Sequence, residues 1–339
     1  MMKMRPMSPQ PNVKTLPSGV GRVYALAVFS HTELKHERIL IMRTVGLAVW
    51  MLTVLSAAAE PLRFLSFNIW GDYFNNPVNE REAGVEAVIV KYKPDIISLQ
   101  EVTPNWWKSP MFTHLATDFG IVRGDEADAL RRAGAKGPRT PRQINHEPLL
   151  YRKERLALLD SGMDFFHLSL GPEKCVTWAV LEDKRDKRRF IAFATHFWWQ
   201  ANGPESDVLR EYNALQILWR IAELRHTWGD LPVIGGGDLN SRPGSPAHEA
   251  LRRAGYLNAA EAADVRSSIA SHHGNPVRGA DGAYHGAVRA KENVPQSSID
   301  HLFFTQGIHA LKHHIGIDQT ELDVSDHSPI VVDFERLAE

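Results

Sequence analysis

The residues best suited to chemistry follow a run of three glycines, Gly235 to Gly237. The preceding apolar segment, Leu231 to Ile234, is typical of a buried strand, and the glycines let the backbone turn without side chains in the way. Asp238 and Asn240 come next, and residues two apart in an extended chain point to the same side. A carboxylate beside a carboxamide can hold a phosphate ester and an attacking water. The alternative interpretation is an ordinary polar loop after a strand.

Further polar residues stand where other predicted strands begin or end. Together the set supplies four carboxylates, two carboxamides and two imidazoles: Asn68, Glu101, His196, Asp238, Asn240, Asp300, Asp326 and His327. Ligands of layered α/β proteins bind at such strand edges. Four carboxylates packed together would repel one another unless a cation lay among them, and oxygen ligands suit Mg²⁺, Mn²⁺ or Ca²⁺. An imidazole paired with a carboxylate can carry a proton, so the set predicts metal-assisted chemistry on a phosphate ester.

The elements that must position these residues alternate between strands and helices. Strands are predicted over 62–68, 95–101, 148–151, 175–181, 189–196, 298–304 and 330–334. Helices are predicted over 80–91, 207–228 and 247–254, and Asp207 is a plausible cap of the second. The residues predicted to face inward are Val85, Val88 and Ile89 in the first helix and Leu215, Leu218 and Ala222 in the second. This alternation is the layered α/β pattern.

Six short motifs give the chain a resemblance to a known superfamily. They are Ser66-Phe67-Asn68, Leu99-Gln100-Glu101, Ala194-Thr195-His196, Gly237-Asp238-Leu239-Asn240, Ile299-Asp300-His301 and Ser325-Asp326-His327-Ser328-Pro329. In this order, over residues 62–334, the chain resembles the endonuclease/exonuclease/phosphatase superfamily of deoxyribonuclease-I-like phosphoesterases. The resemblance implies an α/β fold, a four-layer sandwich of two packed mixed sheets flanked by helices.

The resemblance also implies a metal site. Glu101 would be the principal ligand, helped by Asn68 and Asp326. Mg²⁺ is the expected cofactor, with Mn²⁺ or Ca²⁺ as alternatives.

The same resemblance implies catalytic roles for five further residues. Asp238 and Asn240 would hold the attacking water and a phosphate oxygen, while His196 donates to the phosphate. Asp300 would orient His327, which acts as general base or stabilises the transition state. The sequence leaves open whether Asp238 or His327 takes the proton of the water.

Residues outside this shared set must select the substrate. Five side chains in two predicted loops are candidates: Trp198, Trp199, His272, His273 and Arg278. The two tryptophans could form an aromatic wall for a sugar or a lipid head group, or they could anchor their own loop. The others lie in a loop over 262–296 and could meet a second charged group of the substrate, the alternative being a polar surface loop. Residues 120–145 are predicted to form an exposed excursion, either a solvated loop or a basic side made by Arg131, Arg132, Arg139 and Arg142.

The first 59 residues differ from the rest of the chain. Met42-Arg43-Thr44 precedes an apolar run, Val45 to Leu55, and small residues that end at Ala59. This order is typical of a secretory signal over 42–59, with an uncleaved anchor as the alternative. Residues 1–41 are predicted to be a disordered upstream extension, with Met42 as the initiator. A single domain is then predicted over 60–339.

The charge balance bears on the partners of the mature chain. The full chain has 39 Lys and Arg against 40 Asp and Glu, and residues 1–59 hold seven of the former and two of the latter. The mature chain therefore carries 32 basic and 38 acidic residues, a net charge of −6. This balance disfavours a protein that tracks long nucleic acids. The single Cys175 excludes an internal disulfide and is expected to be a small residue of the core or near the site.

These observations favour an exported enzyme, secreted or periplasmic, that uses Mg²⁺ to hydrolyse phosphate esters. The expected substrate is a mono- or diester of a small or medium organic molecule, cleaved by in-line attack of water. The alternative is a secreted nuclease acting on DNA or RNA. A non-catalytic binding protein on the same scaffold is a lesser alternative, because a dead site has no reason to keep four converging carboxylates. No stable membrane association is expected after signal cleavage, since no amphipathic basic segment is evident.

Overall fold

The computed structural model of the protein describes residues 60–73, 75–132, 134, 143–200, 203–288 and 297–336. The signal and upstream extension predicted for residues 1–59 lie outside these ranges, as do Arg139 and Arg142 of the predicted basic excursion. The described part contains two large mixed sheets, and the strands and helices are numbered below in chain order.

The first sheet carries the amino- and carboxyl-terminal strands of the described chain. Its strands are β1 (Leu62–Asn68), β2 (Ile96–Gln100), β3 (Phe119–Val122), β4 (Leu149–Arg152), β10 (Val265–Arg266), β14 (Ile308–Ile315) and β15 (Ile330–Arg336). They are arranged in the order β10-β14-β15-β1-β2-β4-β3. The central strands β1 and β2 run parallel, with Asn68 opposite Gln100. Both are buried on their two faces, which explains their largely apolar sequences.

The second sheet holds the glycine run. Its strands are β5 (Leu156–Phe165), β6 (Cys175–Asp183), β7 (Arg189–His196), β8 (Val233–Asp238), β9 (Leu257–Asn258) and β13 (Asp300–Phe304). They are arranged in the order β5-β6-β7-β8-β13-β9. Strands β7 and β8 run parallel, and β13 pairs antiparallel with β8. A separate hairpin joins β11 (Val277–Arg278) to β12 (Tyr284–His285).

Helices cover the outer faces of both sheets. They are α1 (Glu82–Tyr92), α2 (Pro110–Asp118), α3 (Glu126–Arg132), α4 (Pro204–Trp228), α5 (Pro246–Arg253), α6 (Ala259–Ala262) and α7 (Gln319–Val324). Ser109 and Ser245 cap α2 and α5, and each is followed by a proline, which suits the first helical position. Among the described helices, none is both long and apolar enough to cross a membrane.

Three apolar clusters hold four layers together. The cluster between the sheets includes Phe64, Ile96, Leu181, Phe190 and Leu302. A second packs α1 and α2 on the first sheet and includes the three residues predicted to face inward, Val85, Val88 and Ile89. A third packs α4 and α5 on the second sheet. The predicted four-layer α/β sandwich is therefore confirmed.

The long helix α4 differs from its predicted start and register. It begins at Pro204 after Gly203, so Asp207 lies in the first turn and is not the cap. The helix buries Ala214, Ile217, Ile221 and Leu224, whereas Leu215 and Ala222 are exposed and Leu218 is partly buried. Apolar residues occur on two faces of this helix, so the helical spacing allowed two registers, and packing on the sheet selected one.

The predicted excursion over 120–145 is partly a packed helix. In α3, Ala129 and Leu130 are buried, and Arg132 donates to the carbonyl of Met163 at 2.6 Å. A helix of this length shows too few turns for its periodicity to stand out. The strands β10 to β12, within the predicted 262–296 loop, were also missed. Each has only two residues, which is too few to show the alternation that identifies a strand.

Candidate active site

Five chemically capable residues meet at one edge of the two sheets. Asn68 ends β1, and Glu101 directly follows β2. In the second sheet, His196 and Asp238 stand opposite each other at the ends of β7 and β8. Asp300 begins β13 opposite Asp238. An antiparallel strand starts at the edge where its neighbour ends, so the register brings these side chains together.

The backbone of β8 leaves no room for side chains along the glycine run. Gly236 and Gly237 have φ values of +155° and +156°, which side chains rarely permit. A Cβ on Gly237 would overlap the carbonyl oxygen of Thr195, and one on Gly236 would overlap that of His301. Ser98 Oγ also donates to the Gly236 carbonyl at 3.0 Å, which ties the first sheet to the second. The glycines therefore set the position of the residues that follow them.

Asn68 joins the two sheets at the centre of the site. Its Nδ2 lies 3.2 Å from Glu101 Oε1 and 3.1 Å from Asp238 Oδ2. Glu101 has a φ of +63°, and the Gly71 amide donates to its Oε2 at 2.6 Å. A non-glycine residue in this region is strained, and such strain is concentrated at functional sites.

Opposite charges keep two of the buried carboxylates ionised. Burial alone would raise the pKa of Glu101, but the charges of His196 and Lys174 outweigh it and the pKa is lowered. Burial would also raise the pKa of Asp238, but the charges of His196 and His327 hold it below its usual range. Both carboxylates are therefore available as anionic ligands or acceptors at neutral pH.

Asp326 provides the test of whether the site fits a cation. Its Oδ1 is buried and has no hydrogen-bond partner within the described residues. Burial raises the pKa of Asp326, as does the neighbouring charge of Glu101. Ser325 Oγ donates to the carbonyl of Asn68 at 2.7 Å, which holds this segment against the end of β1. An unsatisfied carboxylate oxygen beside other oxygen donors is what a divalent cation would satisfy, so Asn68, Glu101 and Asp326 fit a metal.

His327 lies between two carboxylates. Its Nδ1 is 2.8 Å from Asp300 Oδ2, and its Nε2 is 3.6 Å from Asp238 Oδ2. Burial would lower the pKa of His327, but Asp300 and Asp238 raise it well above its ordinary value. The imidazole is therefore held as a cation.

His196 completes the opposite wall. Its Nε2 lies 3.3 Å from Asp238 Oδ2 and 3.1 Å from Asn240 Nδ2. The Asn240 amide also donates to the Phe197 carbonyl at 3.2 Å, and its backbone N–H donates to Asp238 Oδ1 at 2.8 Å. Asn240 has a φ of +47°, a second strained non-glycine residue in the site.

Two site residues, Lys174 and Glu147, were missed from the sequence. Lys174 Nζ is buried 2.8 Å from His196 Nδ1, and Glu147 Oε1 is 3.7 Å from the same nitrogen. Burial raises the pKa of Glu147 to about 8, and the Cys175 thiol donates to this side chain at 2.8 Å. Cys175 is thus buried near the site, as predicted. Glu147 stands just before β4 and Lys174 just before β6, and both strands run antiparallel to a neighbouring strand that ends at the site. Recognising where these two strands start could therefore have identified both residues.

The two tryptophans differ in their surroundings. Trp198 is half-buried, whereas Trp199 is 55% exposed, and their ring centroids are 6.1 Å apart. Arg210 donates to both of their backbone carbonyls, at 2.9 and 3.3 Å. This loop is therefore fastened to α4, and Trp199 presents an exposed aromatic surface three residues after His196 in the chain.

The residues predicted from the 262–296 loop separate in the structure. His272 reaches the site, since its ring centroid is 4.7 Å from that of His327. His273 does not face a substrate: it is buried and donates from Nε2 to the Ser325 carbonyl at 3.0 Å. Arg278 pairs with Glu80 at 2.6 Å, stacks on Tyr284 and lines an open cleft of about 640 Å³, so its contact with a substrate stays a prediction. Adjacent residues of a bridge point to opposite sides, which explains why only one histidine enters the site.

Comparisons with known proteins agree with this fold. Residues 65–327 match the Endonuclease/Exonuclease/phosphatase family. None of the curated proteins compared matches the chain in sequence. A solved endonuclease/exonuclease/phosphatase from Bacteroides vulgatus is 24% identical with a TM-score of 0.60, covering 81% of this chain and 99% of its own.

Two further solved structures share the fold. A mannosyl-6-phosphatase from Bacteroides thetaiotaomicron is 18% identical with a TM-score of 0.59, covering 81% of this chain and 99% of its own. TDP2 from D. rerio, complexed with a single-strand DNA product, is 16% identical with a TM-score of 0.56, covering 81% of this chain and 98% of its own. At these identities the structures establish the fold.

Proposed function

The chain belongs to the Endonuclease/Exonuclease/phosphatase family, whose members hydrolyse phosphate esters, and from this premise we propose its substrate class and the roles of its residues. The proposed substrate is a phosphate mono- or diester of a small or medium organic molecule. The observation that carries the proposal is the connected cluster of polar side chains where the two sheets meet. In this cluster Asn68 bridges Glu101 and Asp238, while His196 and His327 flank Asp238.

The proposed metal ligands are Asn68, Glu101 and Asp326. Their oxygen donors suit Mg²⁺, which prefers carboxylates and carbonyls to softer ligands. When bound, such a cation polarises a phosphoryl oxygen and stabilises the leaving oxygen. The bonds from Asn68 and Gly71 hold Glu101 in place.

The proposed acceptor of the water's proton is Asp238. His327 is held protonated by Asp300 and Asp238, so it has no lone pair with which to take that proton. The charges of His196 and His327 keep Asp238 ionised, so its carboxylate has lone pairs that can receive the proton, although the same charges make it a weaker base than an ordinary carboxylate. As the water oxygen bonds to phosphorus, its proton passes to Asp238 and the bond from phosphorus to the leaving oxygen breaks. Asn240, fixed by its bonds to Asp238 and Phe197, orients the water and one phosphate oxygen.

The proposed charge stabilisation comes from three groups on the other side of the ester. His196, His327 and Lys174 would donate to the non-bridging oxygens, where negative charge develops in the transition state. Lys174 is buried against His196, so its charge is already positioned before the substrate binds.

The choice of a small substrate rests on the surroundings of this phosphate. The predicted mature chain has a net charge of −6, which weighs against a long polyanion. Exposed Trp199, three residues after His196 in the chain, offers a flat apolar surface of the kind that sugars stack on. The solved neighbours include a mannosyl-6-phosphatase and a TDP2 with bound DNA, so both substrate classes belong in the test.

We also propose that the protein is exported after cleavage near Ala59. The support is the order of basic, apolar and small residues over 42–59. Amino-terminal mass spectrometry of protein recovered outside the cytoplasm tests this proposal. A mature chain beginning near Met1 would contradict it.

A substrate panel with and without Mg²⁺ tests the proposed activity. It contains sugar phosphates, a bis-aryl phosphate diester, sphingomyelin, RNA and plasmid DNA, with Glu101→Gln as the matched inactive control. Turnover of a small ester that EDTA abolishes is the expected result. Rapid plasmid nicking without turnover of small esters would instead identify a nuclease, and binding without any turnover would identify a non-catalytic protein.

A further inference from the structure

The outer face of α4 carries an uninterrupted apolar stripe. Four of its large side chains are well exposed: Val208 48%, Tyr212 52%, Leu215 46% and Trp219 66%. Ala222 continues the same line, and every exposed position between Val208 and Ala222 is apolar. The opposite face of the helix already packs on the second sheet, through residues such as Ile217 and Ile221. The stripe is therefore additional to the core, and large contiguous apolar patches of this kind mark binding surfaces.

The spacing of the stripe identifies the kind of surface it fits. Successive members are four, three, four and three residues apart, an average of 3.5. This is the spacing of the contact seam between two packed helices. Exposed Leu168, whose carbonyl accepts from Asn213 of α4 at 3.0 Å, adds apolar surface beside the helix.

The residues beside the stripe disfavour a lipid surface. Its flanks carry Glu211, Gln216 and Glu223, with Arg225 as a single basic residue near the carboxyl end of the helix. Helices that lie on anionic membranes carry Lys and Arg in these positions. A narrow stripe with acidic flanks is suited to another helix.

We propose that this helix is a second copy of α4, packed antiparallel about a two-fold axis. In one antiparallel register, Leu215 of each copy faces Trp219 of the other, and Tyr212 faces Ala222. Large side chains thus meet smaller ones along the seam, as close packing requires. The two-fold axis uses the same patch twice, so neither copy leaves an apolar stripe exposed.

The flanking charges agree with this register. It brings Glu211 of one copy beside Arg225 of the other, and charges beside a helix seam set partner choice and orientation. Arg225 already pairs with Asp230 at 3.1 Å, so the contact would extend an existing ion pair at the surface. In a parallel pair, Glu211 would instead meet the uncharged Gln216 of the other copy, and this ion pair would be lost. The chemistry of the flanks therefore favours the antiparallel dimer.

Sedimentation velocity of the full chain over a range of concentrations tests the dimer. The wild type is expected to sediment as two chains, and Trp219→Glu as one, with a dissociation constant raised at least about thirtyfold. Val90→Glu, an exposed apolar position on the outer face of α1, is the matched control and should remain dimeric. Circular dichroism checks that both variants fold. A wild type that is monomeric throughout, or a Trp219→Glu protein that stays dimeric, would overturn the proposal.

Cysteine cross-linking tests the antiparallel register. Val208→Cys and His226→Cys proteins, mixed and oxidised, should join to each other. Neither variant should join to itself. In the antiparallel dimer the two copies of residue 208 lie at opposite ends of the seam, about 27 Å apart, and so do the two copies of residue 226. The native Cys175 is buried and does not compete. Cross-linking of Val208→Cys to itself would overturn the antiparallel arrangement. Binding of a monomeric wild type to phosphatidylglycerol vesicles, lost in Trp219→Glu, would assign the stripe to a membrane instead.

Discussion

Replacing Gly237 with alanine tests how far the glycine run controls the site. The residue has a φ of +156°. An added Cβ would lie 2.0 Å from the carbonyl oxygen of Thr195, although real Cβ atoms keep at least 3.0 Å from other atoms. Gln100 Nε2 from the facing sheet lies 2.8 Å from the same point. The clash involves backbone on β7, so it cannot be relieved by rotating a side chain. Strand β8 must move, and Asp238 is the next residue along it.

The size of the effect follows from two separate terms. Backbone strain at a φ that favours glycine costs about 1–3 kcal/mol, and overpacking of a filled interior costs a further ~1–3 kcal/mol. The free energy of unfolding should therefore fall by about 2–6 kcal/mol, from a total that is typically ~5–15 kcal/mol. A displacement of about 1 Å at Asp238 should lower kcat by about a hundredfold, because the attacking water is no longer aligned.

Gly244→Ala is the matched control for this experiment. Gly244 has a φ of +81°, but a Cβ there would meet nothing within 4 Å, so this variant reports backbone strain without the clash. Urea unfolding and hydrolysis of a bis-aryl phosphate with Mg²⁺ provide the two measurements. The reasoning is refuted if Gly237→Ala loses no more stability than Gly244→Ala and keeps kcat within threefold of wild type.

Further variants test the assigned roles one at a time. Glu101→Gln should lower kcat at least about a hundredfold and weaken the dependence of the rate on Mg²⁺, measured by metal titration; an unchanged metal requirement would remove it from the ligand set. His327→Ala should lower kcat at least about a hundredfold, and a near-normal rate would deny the residue its role in charge stabilisation. Lys174→Met should lower kcat/KM by about ten- to a hundredfold through lost phosphate contact, whereas an effect on stability alone would make it structural. Burial raises the pKa of Glu147 to about 8 from its ordinary 4.5, so the folded state holds this proton more tightly and wild-type stability falls as pH rises between these values. Glu147→Gln should therefore gain about 2–3 kcal/mol relative to wild type between pH 6 and pH 8 in urea unfolding, and parallel stability curves would contradict this.

Much of the fold could be predicted because its signals are local. The apolar runs of β1, β2 and β7 and the inward stripe of α1 follow from alternation and helical spacing within a few residues. Elements with weak periodicity were missed, including the edge strand β5 and the short helices α2, α3 and α7. Strand β5 is half-exposed, so its apolar and polar residues do not separate clearly.

The central site was also accessible, because its residues lie at the ends of recognisable strands. Asn68, His196 and Asp238 could be placed at one edge as soon as the strands were assigned. Lys174 and Glu147 carried no motif, and only strand direction shows that they start at the same edge. The sequence likewise treated His272 and His273 alike, although one reaches the site and the other is buried behind it.

The sequence by itself determined which chemistry is available, since the types and order of the polar residues and the glycine run before Asp238 are fixed by the chain. The tertiary structure decided how that chemistry is tuned, because pKa values depend on charges that come from distant parts of the chain. Asp238 is kept ionised and His327 protonated only when β8, β13 and the 325–327 segment are brought into register. It also decided which of the two apolar faces of α4 packs on the sheet, because local spacing allows both and burial selects one.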